Sequence, residues 1–248
     1  MFRRILRRLP MNNIYLSSAA GAVVKVNAVN ITAFPAHQVE ALIRRTGNEK
    51  AARFVFEEDR FRSLAGELLA RTMIAETLGV SQADLVFTRN RYGKPFLLQP
   101  TSTLEFNISH AGTWVVAAVS TQAIGIDVER TAPIDPELAR RFFSGEEYQL
   151  IRNQPSEEQT IAKFYEIWTY KESYIKAVGK GLSIPLDSFT TVVNGELIQQ
   201  LSAGERDWYF TPLCWDNGYY ATVCSTLPIC GCTVETLDIE VLVETFLS

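Results

Sequence analysis

Apolar and polar positions alternate with two different periods along the chain, and together they outline two similar runs of elements. Near the start, "NNIYLSS" and "AVVKVNAVNI" read as short strands. Pro35 opens a helical region. The stretch "EEDRFRSLAGELLARTMIAETLG" then predicts a long amphipathic helix, with Phe61, Leu64, Ala65, Leu68, Thr72 and Ala75 on one face and Gly79 as its stop. "LVFTRNRYGKPFL" predicts a strand, a turn at Tyr92-Gly93-Lys94-Pro95 and a second strand. "LEFNISHAGTWVVAAVS" reads as two strands joined by "SHAG", and "QAIGIDV" as a strand heading into the interior. The order then recurs. Ser144 with Glu147, and Ser156 with Gln159, have the spacing of capping boxes. A helix from Ser156 to Val178 carries Ile161, Phe164, Tyr165, Trp168 and Ile175 on one face, with Gly179 after it. "WYFTPLC" and "GYYATVCS" predict a hairpin around Asp216-Asn217-Gly218, and "WVVAAVS" and "YYATVCS" fall at matching places. The pattern predicts an α+β fold of two pseudo-symmetric halves, each a long helix packed on a small antiparallel sheet. Residues 1–124 form one half and 125–248 the other, joined near Ile124 without a flexible linker. Residues 1–10, "MFRRILRRLP", read as an extension, with Met11 as an alternative start.

Composition narrows the class. At 47% apolar residues the 248-residue chain can build a sizeable core, and its net charge of −4 argues against nucleic-acid binding by bulk positive charge. Cys214, Cys224, Cys230 and Cys232 come late, and the Cys230-Gly231-Cys232 spacing is too short for an ordinary zinc knuckle. They read as free thiols of a reducing compartment. The basic N-terminus lacks the apolar stretch of a signal peptide, and no run is long enough to span a membrane. A cytoplasmic, soluble protein is expected, with a monomer as the default for two fused halves.

The candidate chemistry lies in polar residues on apolar faces. In "GIDVER", Asp127 and Glu129 sit two residues apart on a strand and so point the same way. Paired carboxylates repel and need a cation, a proton or water. Trp168, Glu172 and Ile175 share a helical stripe, so Glu172 joins the apolar face, with Lys176 at its margin. A solvated Glu172–Lys176 pair, worth about 0.3–0.5 kcal/mol, is the plainer alternative. Three carboxylates from a strand and a helix suit Mg²⁺, which takes oxygen ligands and is usually completed by substrate phosphates. A second, basic cluster comprises Lys94 in its turn, Ser109 and His110 in the "NISHAG" turn, Arg62 and Ser63 on the first helix, and Lys50 and Arg53 ahead of it. Such a cluster can hold a polyanion such as a nucleotide phosphate. His37 has no companions and reads as a surface residue. With no phosphate-binding Gly-Lys-Ser/Thr loop and no kinase motifs, the residues point to an Mg²⁺-dependent enzyme acting on a pyrophosphate-containing substrate.

"FNISHAGTWVVAAV", "GIDVER", "RFFSGEEY" and "FYEIWTYKESYIKAVGKGLSIPLDSF" together resemble the surfactin-synthetase-activating type of 4'-phosphopantetheinyl transferase, from Lys50 to Ser225. The resemblance implies a two-half fold with coenzyme A between the halves. It implies transfer of the phosphopantetheine arm to a serine of an apo acyl or peptidyl carrier protein, releasing adenosine 3',5'-bisphosphate. By the same resemblance, Asp127, Glu129 and Glu172 match Mg²⁺ ligands, and Lys176 matches the lysine at the pyrophosphate. Lys94, Ser109 and His110 match groups around the 3'-phosphate and pyrophosphate, and Lys50, Arg62 and Ser63 match the outer nucleotide site. Gly47 stands where the family is usually basic. The general base is open between Glu129 and a metal-bound water. The stretch after Glu129, with Arg130, Arg140, Arg141, Phe142 and Phe143, is the expected docking surface for the carrier. A non-catalytic coenzyme A- or carrier-binding homologue, or another Mg²⁺-dependent enzyme cleaving a nucleotide pyrophosphate, are the alternatives.

Overall fold

A computed structural model describes residues 16–17, 23–135, 137–213, 216–229 and 234–248. The expected N-terminal extension, the start at Met11 and the thiols of Cys214, Cys230 and Cys232 lie outside these residues; Cys224 is a buried free thiol. The first half contains β1 (Leu16–Ser17), β2 (Val23–Asn30), α1 (Val39–Thr46), α2 (Glu49–Arg53), α3 (Glu57–Leu78), β3 (Val86–Arg89), β4 (Pro95–Gln99), β5 (Glu105–Ala111) and β6 (Trp114–Ser120). The second contains β7 (Ile124–Arg130), α4 (Glu137–Phe142), α5 (Gly145–Arg152), α6 (Glu157–Val178), β8 (Val192–Val193), β9 (Glu196–Leu197), β10 (Gln200–Ala203), β11 (Arg206–Pro212) and β12 (Tyr219–Ser225). β13 (Glu235–Leu237) and α7 (Ile239–Leu247) end the chain.

The duplication is plain in the elements. α3 and α6 are each 22 residues long, and each stops at a left-handed glycine, Gly79 or Gly179, whose amide bonds back to the last turn. One sheet runs β1-β2-β6-β5 and the other β10-β11-β12-β7. Thus β6 and β12, the two matched stretches, are interior strands of their respective sheets. The sheets pack face to face through Val24, Val26, Val116 and Ala118 on one side and Ile126, Val128, Ala221 and Val223 on the other. α3 covers the outer face of the first sheet, burying Leu64, Leu68 and Leu69 against Val115, Ala117 and Val119. α6 covers the second, burying Tyr174 and Ile175 with Trp208 and Phe210. The result is four layers, helix–sheet–sheet–helix.

Two features depart from the simple division at residue 124. β13 pairs with β2 in parallel, and α7 packs Leu242, Val243 and Phe246 into the first half's core, so the last elements return to the first half. β5 and β7, the facing edges of the two sheets, are joined by side chains. The Ile126 amide donates to Asn107 Oδ1 at 3.0 Å and the Val128 amide to Ser109 Oγ at 3.3 Å. Edge N–H groups that would otherwise be buried unpaired are satisfied this way.

Candidate active site

Glycine sets the distance between β7 and α6. A Cβ on Gly125 would lie 2.1 Å from the Ser173 carbonyl oxygen and 2.3 Å from the Ala177 amide nitrogen, so only glycine lets the helix backbone lie against the strand. Asp127 and Glu129 follow on the same face. Asp127, 2% exposed, therefore meets the last turns of α6: Lys176 Nζ donates to Asp127 Oδ1 at 2.5 Å and to Ser109 Oγ at 2.9 Å. Ser109 Oγ in turn donates to Asp127 Oδ1 at 3.0 Å. A strand of the first half, a strand of the second and the second long helix meet in these three residues.

The acids are strained electrostatically. Burial, opposed by Lys176 and Ser109, pushes the Asp127 carboxyl above its ordinary range. Burial and then Asp127 push Glu172 up. Burial, then Asp127, with a smaller push from Glu172, raise Glu129 to about 7, against Lys176 and a hydrogen bond from Trp168. A carboxyl whose folded pKa is raised holds its proton better folded than unfolded. Glu129 therefore removes stability as pH rises from the ordinary carboxyl value of 4.5 through about 7. Glu129→Gln should raise the melting midpoint at pH 7.5 by about 2–4 °C, roughly 1 kcal/mol for a chain of this size, and flatten its fall between pH 5 and 8. An unchanged pH profile of the midpoint would show that Glu129 is solvated.

The donor set was tested for its fit to a metal. Asp127 Oδ2 is buried and has no hydrogen-bond partner among the described residues, an acceptor suited to a cation, and Asp127, Glu129 and Glu172 are all hard oxygen donors. Among the described residues, however, no three Asp, Glu, His or Cys side chains are gathered closely enough to form a ligand shell. In this conformation Lys176 is the cation on Asp127.

Ser109 and His110 were expected in a turn. They lie instead on β5, and the turn is Gly112-Thr113. The difference matters because adjacent strand residues face opposite ways. Ser109 faces Asp127, whereas His110 looks onto α3 with Phe106 and Ile108. There it borders a cleft of about 690 Å³ between the Gly47–Lys50 corner, α3 and the β3–β4 hairpin. Lys50, Arg62 and Ser63 border the same cleft. Arg62 is fixed by bonds to the Gly112 carbonyl and Asp59, both 2.7 Å, and Ser63 Oγ accepts from Asn48 at 3.3 Å. Burial, then Arg62, Lys176 and Lys50, hold the His110 pKa below the usual imidazole value. Cationic surroundings of this kind suit an anion. Gly47 has φ +69°, a left-handed helix cap where a larger side chain would be strained.

Two expected positions, Lys94 and Phe143, differ. Lys94 is not among the cleft residues; its ammonium faces the Ala177 and Ile124 carbonyls and Glu105. Phe143, expected on a docking surface, is 4% exposed and packs against Phe164 and Trp168, so it is core. Leu138 and Phe142 are the exposed apolar residues of α4, with Arg140 and Arg141 beside them. The plainer alternative of a Glu172–Lys176 salt bridge is not formed among the described residues; Lys176 reaches across to β7 instead. The sequence reading had no role for Lys171. It is fully buried, 2.8 Å from the equally buried Glu147, and donates to the Leu186 and Phe189 carbonyls at 2.7 and 2.6 Å. A lysine on the helix face opposite Glu129 carries no local sign of such burial.

Known proteins resemble the chain along both halves. A family model for the N-terminal part of 4'-phosphopantetheinyl transferase matches residues 35–122, and the 4'-phosphopantetheinyl transferase superfamily model matches residues 123–224. The chain is 41% identical over 182 residues to 4'-phosphopantetheinyl transferase Sfp of Bacillus subtilis (strain 168), covering 73% of this chain and 80% of that one. It is 36% identical to 4'-phosphopantetheinyl transferase gsp of Aneurinibacillus migulanus, covering 79% and 81%. It is 29% identical to the L-aminoadipate-semialdehyde dehydrogenase-phosphopantetheinyl transferase of Rattus norvegicus, covering 73% and 66%. With two family models meeting at the junction before β7, and relatives matched over most of their length, the chain belongs to the 4'-phosphopantetheinyl transferase superfamily.

Proposed function

We propose that this chain transfers the 4'-phosphopantetheine arm of coenzyme A to a serine hydroxyl of an apo carrier protein and releases adenosine 3',5'-bisphosphate. The observation that supports it most directly is the back-to-back placement of Ser109 and His110 on β5. His110 borders a basic cleft sized for a nucleotide, and its chain neighbour Ser109 belongs to the cluster with Asp127 and Lys176. Lys50, Arg62, Ser63 and His110 are the groups for the nucleotide and its 3'-phosphate. Ser109 and Lys176 come next, where the pyrophosphate would lie. The carrier serine oxygen attacks the β-phosphorus, and the bond from that phosphorus to the bridging oxygen breaks. Lys176 offsets charge on the departing α-phosphate. Glu129, with a pKa near 7, is matched to taking the serine proton at neutral pH. A Mg²⁺ held by Asp127, Glu129 and Glu172 would neutralise pyrophosphate charge.

Intact mass spectrometry tests the reading. An apo peptidyl carrier and an apo acyl carrier, each with this protein, coenzyme A and Mg²⁺, should gain one phosphopantetheine, and EDTA should abolish the gain. No gain on either carrier overturns the transferase reading; a gain indifferent to EDTA overturns the metal.

For the carrier, α4 is the proposed docking element, since it leaves Leu138 and Phe142 each 38% exposed beside Arg140 and Arg141. Reversing both charges, Arg140→Glu with Arg141→Glu, should raise KM for an acidic carrier about tenfold or more while leaving KM for coenzyme A unchanged. An unchanged carrier KM would place docking elsewhere.

A further inference from the structure

The C-terminal end of α6 is gripped from the other half of the molecule. Helix ends leave carbonyls unpaired and carry partial negative charge. Gly179 N bonds back to Ile175 O at 2.9 Å, which leaves the carbonyls of Ala177 and Gly179 free to accept from elsewhere. Both acceptors are used by the turn of the β3–β4 hairpin. Asn90 Nδ2 donates to Gly179 O at 2.9 Å, and Lys94 Nζ donates to Ala177 O at 3.2 Å. Lys94 Nζ also lies 3.4 Å from Ile124 O, the first carbonyl of β7. One ammonium thus ties together the end of the helix that carries Lys176 and the start of the strand that carries Asp127.

The turn is stiff enough to act as a clamp. Asn90 Oδ1 accepts from the Tyr92 and Lys94 amides at 2.9 and 3.0 Å, and Asn90 N donates to Lys94 O at 2.9 Å. The Lys94 side chain is 12% exposed and is balanced by Glu105 at 3.4 Å. Gly179 makes room for it: a Cβ there would lie 2.8 Å from Lys94 Cδ, and the residue has φ +76°. The flanks of the same hairpin, Thr88, Arg89 and Pro95, border the nucleotide cleft.

We infer that Lys94 and Asn90 are positioning residues: the β3–β4 turn clamps the C-terminal end of α6 to β7 and so holds Lys176 in register with Asp127. The Lys94 ammonium acts through α6. The activity arm of the test rests on the transferase reading; a second arm does not.

Lys94→Met removes the cation. Asn90→Asp keeps the oxygen that builds the turn but removes the donor to Gly179, and it guards against a Lys94 variant that fails to fold. Both are expected to lower kcat about 10- to 100-fold, as a misplaced catalytic group does, with KM for coenzyme A within twofold of wild type. In hydrogen exchange, the amides of residues 176–179 should open about tenfold faster in both variants, whether or not any transfer is seen. A raised KM for coenzyme A with kcat unchanged would make Lys94 a nucleotide ligand and overturn the clamp. Unchanged exchange at the end of α6 would overturn it as well. A wild-type chain that transfers nothing, with exchange faster in the variants, would defeat the transferase reading and leave the clamp standing.

Discussion

Lys176→Met is expected to slow transfer about 10²–10³-fold at saturating coenzyme A and carrier, the usual cost of losing a group that stabilises charge developing in the transition state. A stability effect should accompany it, with a definite sign. Among the described residues Lys176 is the one cation bonded to Asp127, which is 2% exposed and whose second oxygen lacks a partner there. Without the ammonium, burial acts on the carboxyl opposed only by Ser109 and the Val128 amide, and its folded pKa rises further above the ordinary value of 3.8. The folded state then holds a proton that the unfolded state releases, so stability falls as pH rises above that value. The variant should be less stable than wild type at pH 7.5, by about 1–3 kcal/mol, and should recover on acidification. Asp127→Asn added to Lys176→Met removes the uncompensated charge and should restore the midpoint without restoring turnover. Thermal unfolding across pH with single-turnover assays separates the two effects. Near-wild-type turnover in Lys176→Met would remove the lysine from the reaction. A double variant no more stable than the single would show that the ion pair is not what the fold loses.

Lys171→Met should be the largest single loss of stability. Glu147 and Lys171 are both fully buried, and every polar atom of the pair is used. Glu147 accepts from the Ser144 amide at 2.8 Å, the Thr191 amide at 2.7 Å and the Thr191 hydroxyl at 2.9 Å. Lys171 holds the Leu186 and Phe189 carbonyls. Its ammonium also lies 4.2 Å from the centre of the Phe189 ring. Breaking a buried pair by removing one partner costs about 3–5 kcal/mol, because the other charge stays behind without compensation. For a chain of this length that corresponds to a midpoint lower by about 10 °C. Pairing Lys171→Met with Glu147→Gln should recover much of the loss, since a neutral amide can keep hydrogen bonds that a stranded carboxylate cannot sustain. Calorimetry of the three variants decides it. A drop of less than about 2 °C in Lys171→Met would mean that water reaches Glu147. KM for coenzyme A, measured below the midpoint, should not move, since neither side chain borders the cleft.

What was legible in the sequence was what local rules govern. The two long helices show in their apolar period, and their ends show in Gly79 and Gly179, where a left-handed residue is needed. The capping box at Ser144 and Glu147 forms with both reciprocal bonds, while at Ser156 only the hydroxyl bond from Gln159 N is seen. The pairing of Asp127 and Glu129 on one face follows from the two-residue period of a strand. The division into two α+β halves follows because each long helix is followed by strands that must cover its apolar face.

Other features were settled by distant residues. "NISHAG" carries turn residues, yet Ser109 and His110 are strand, because β6 pairs with β5 as far as Ala111 and Trp114. Long-range pairing outweighs local turn preference there. Phe143 is buried because α6 presents Phe164 and Trp168 to it, a fact absent from its own segment. Lys94 leaves the cationic cluster because the end of α6 offers it carbonyls and partial negative charge. Glu147 serves as a helix cap by its spacing, but its burial with Lys171 depends on where the segment from Leu186 to Thr191 returns. The helices, their ends and the face on which the acids lie depend on neighbours within a few positions, and so are written locally. Which cation meets which acid is settled in three dimensions, since residues far apart in the chain compete for the same buried charge.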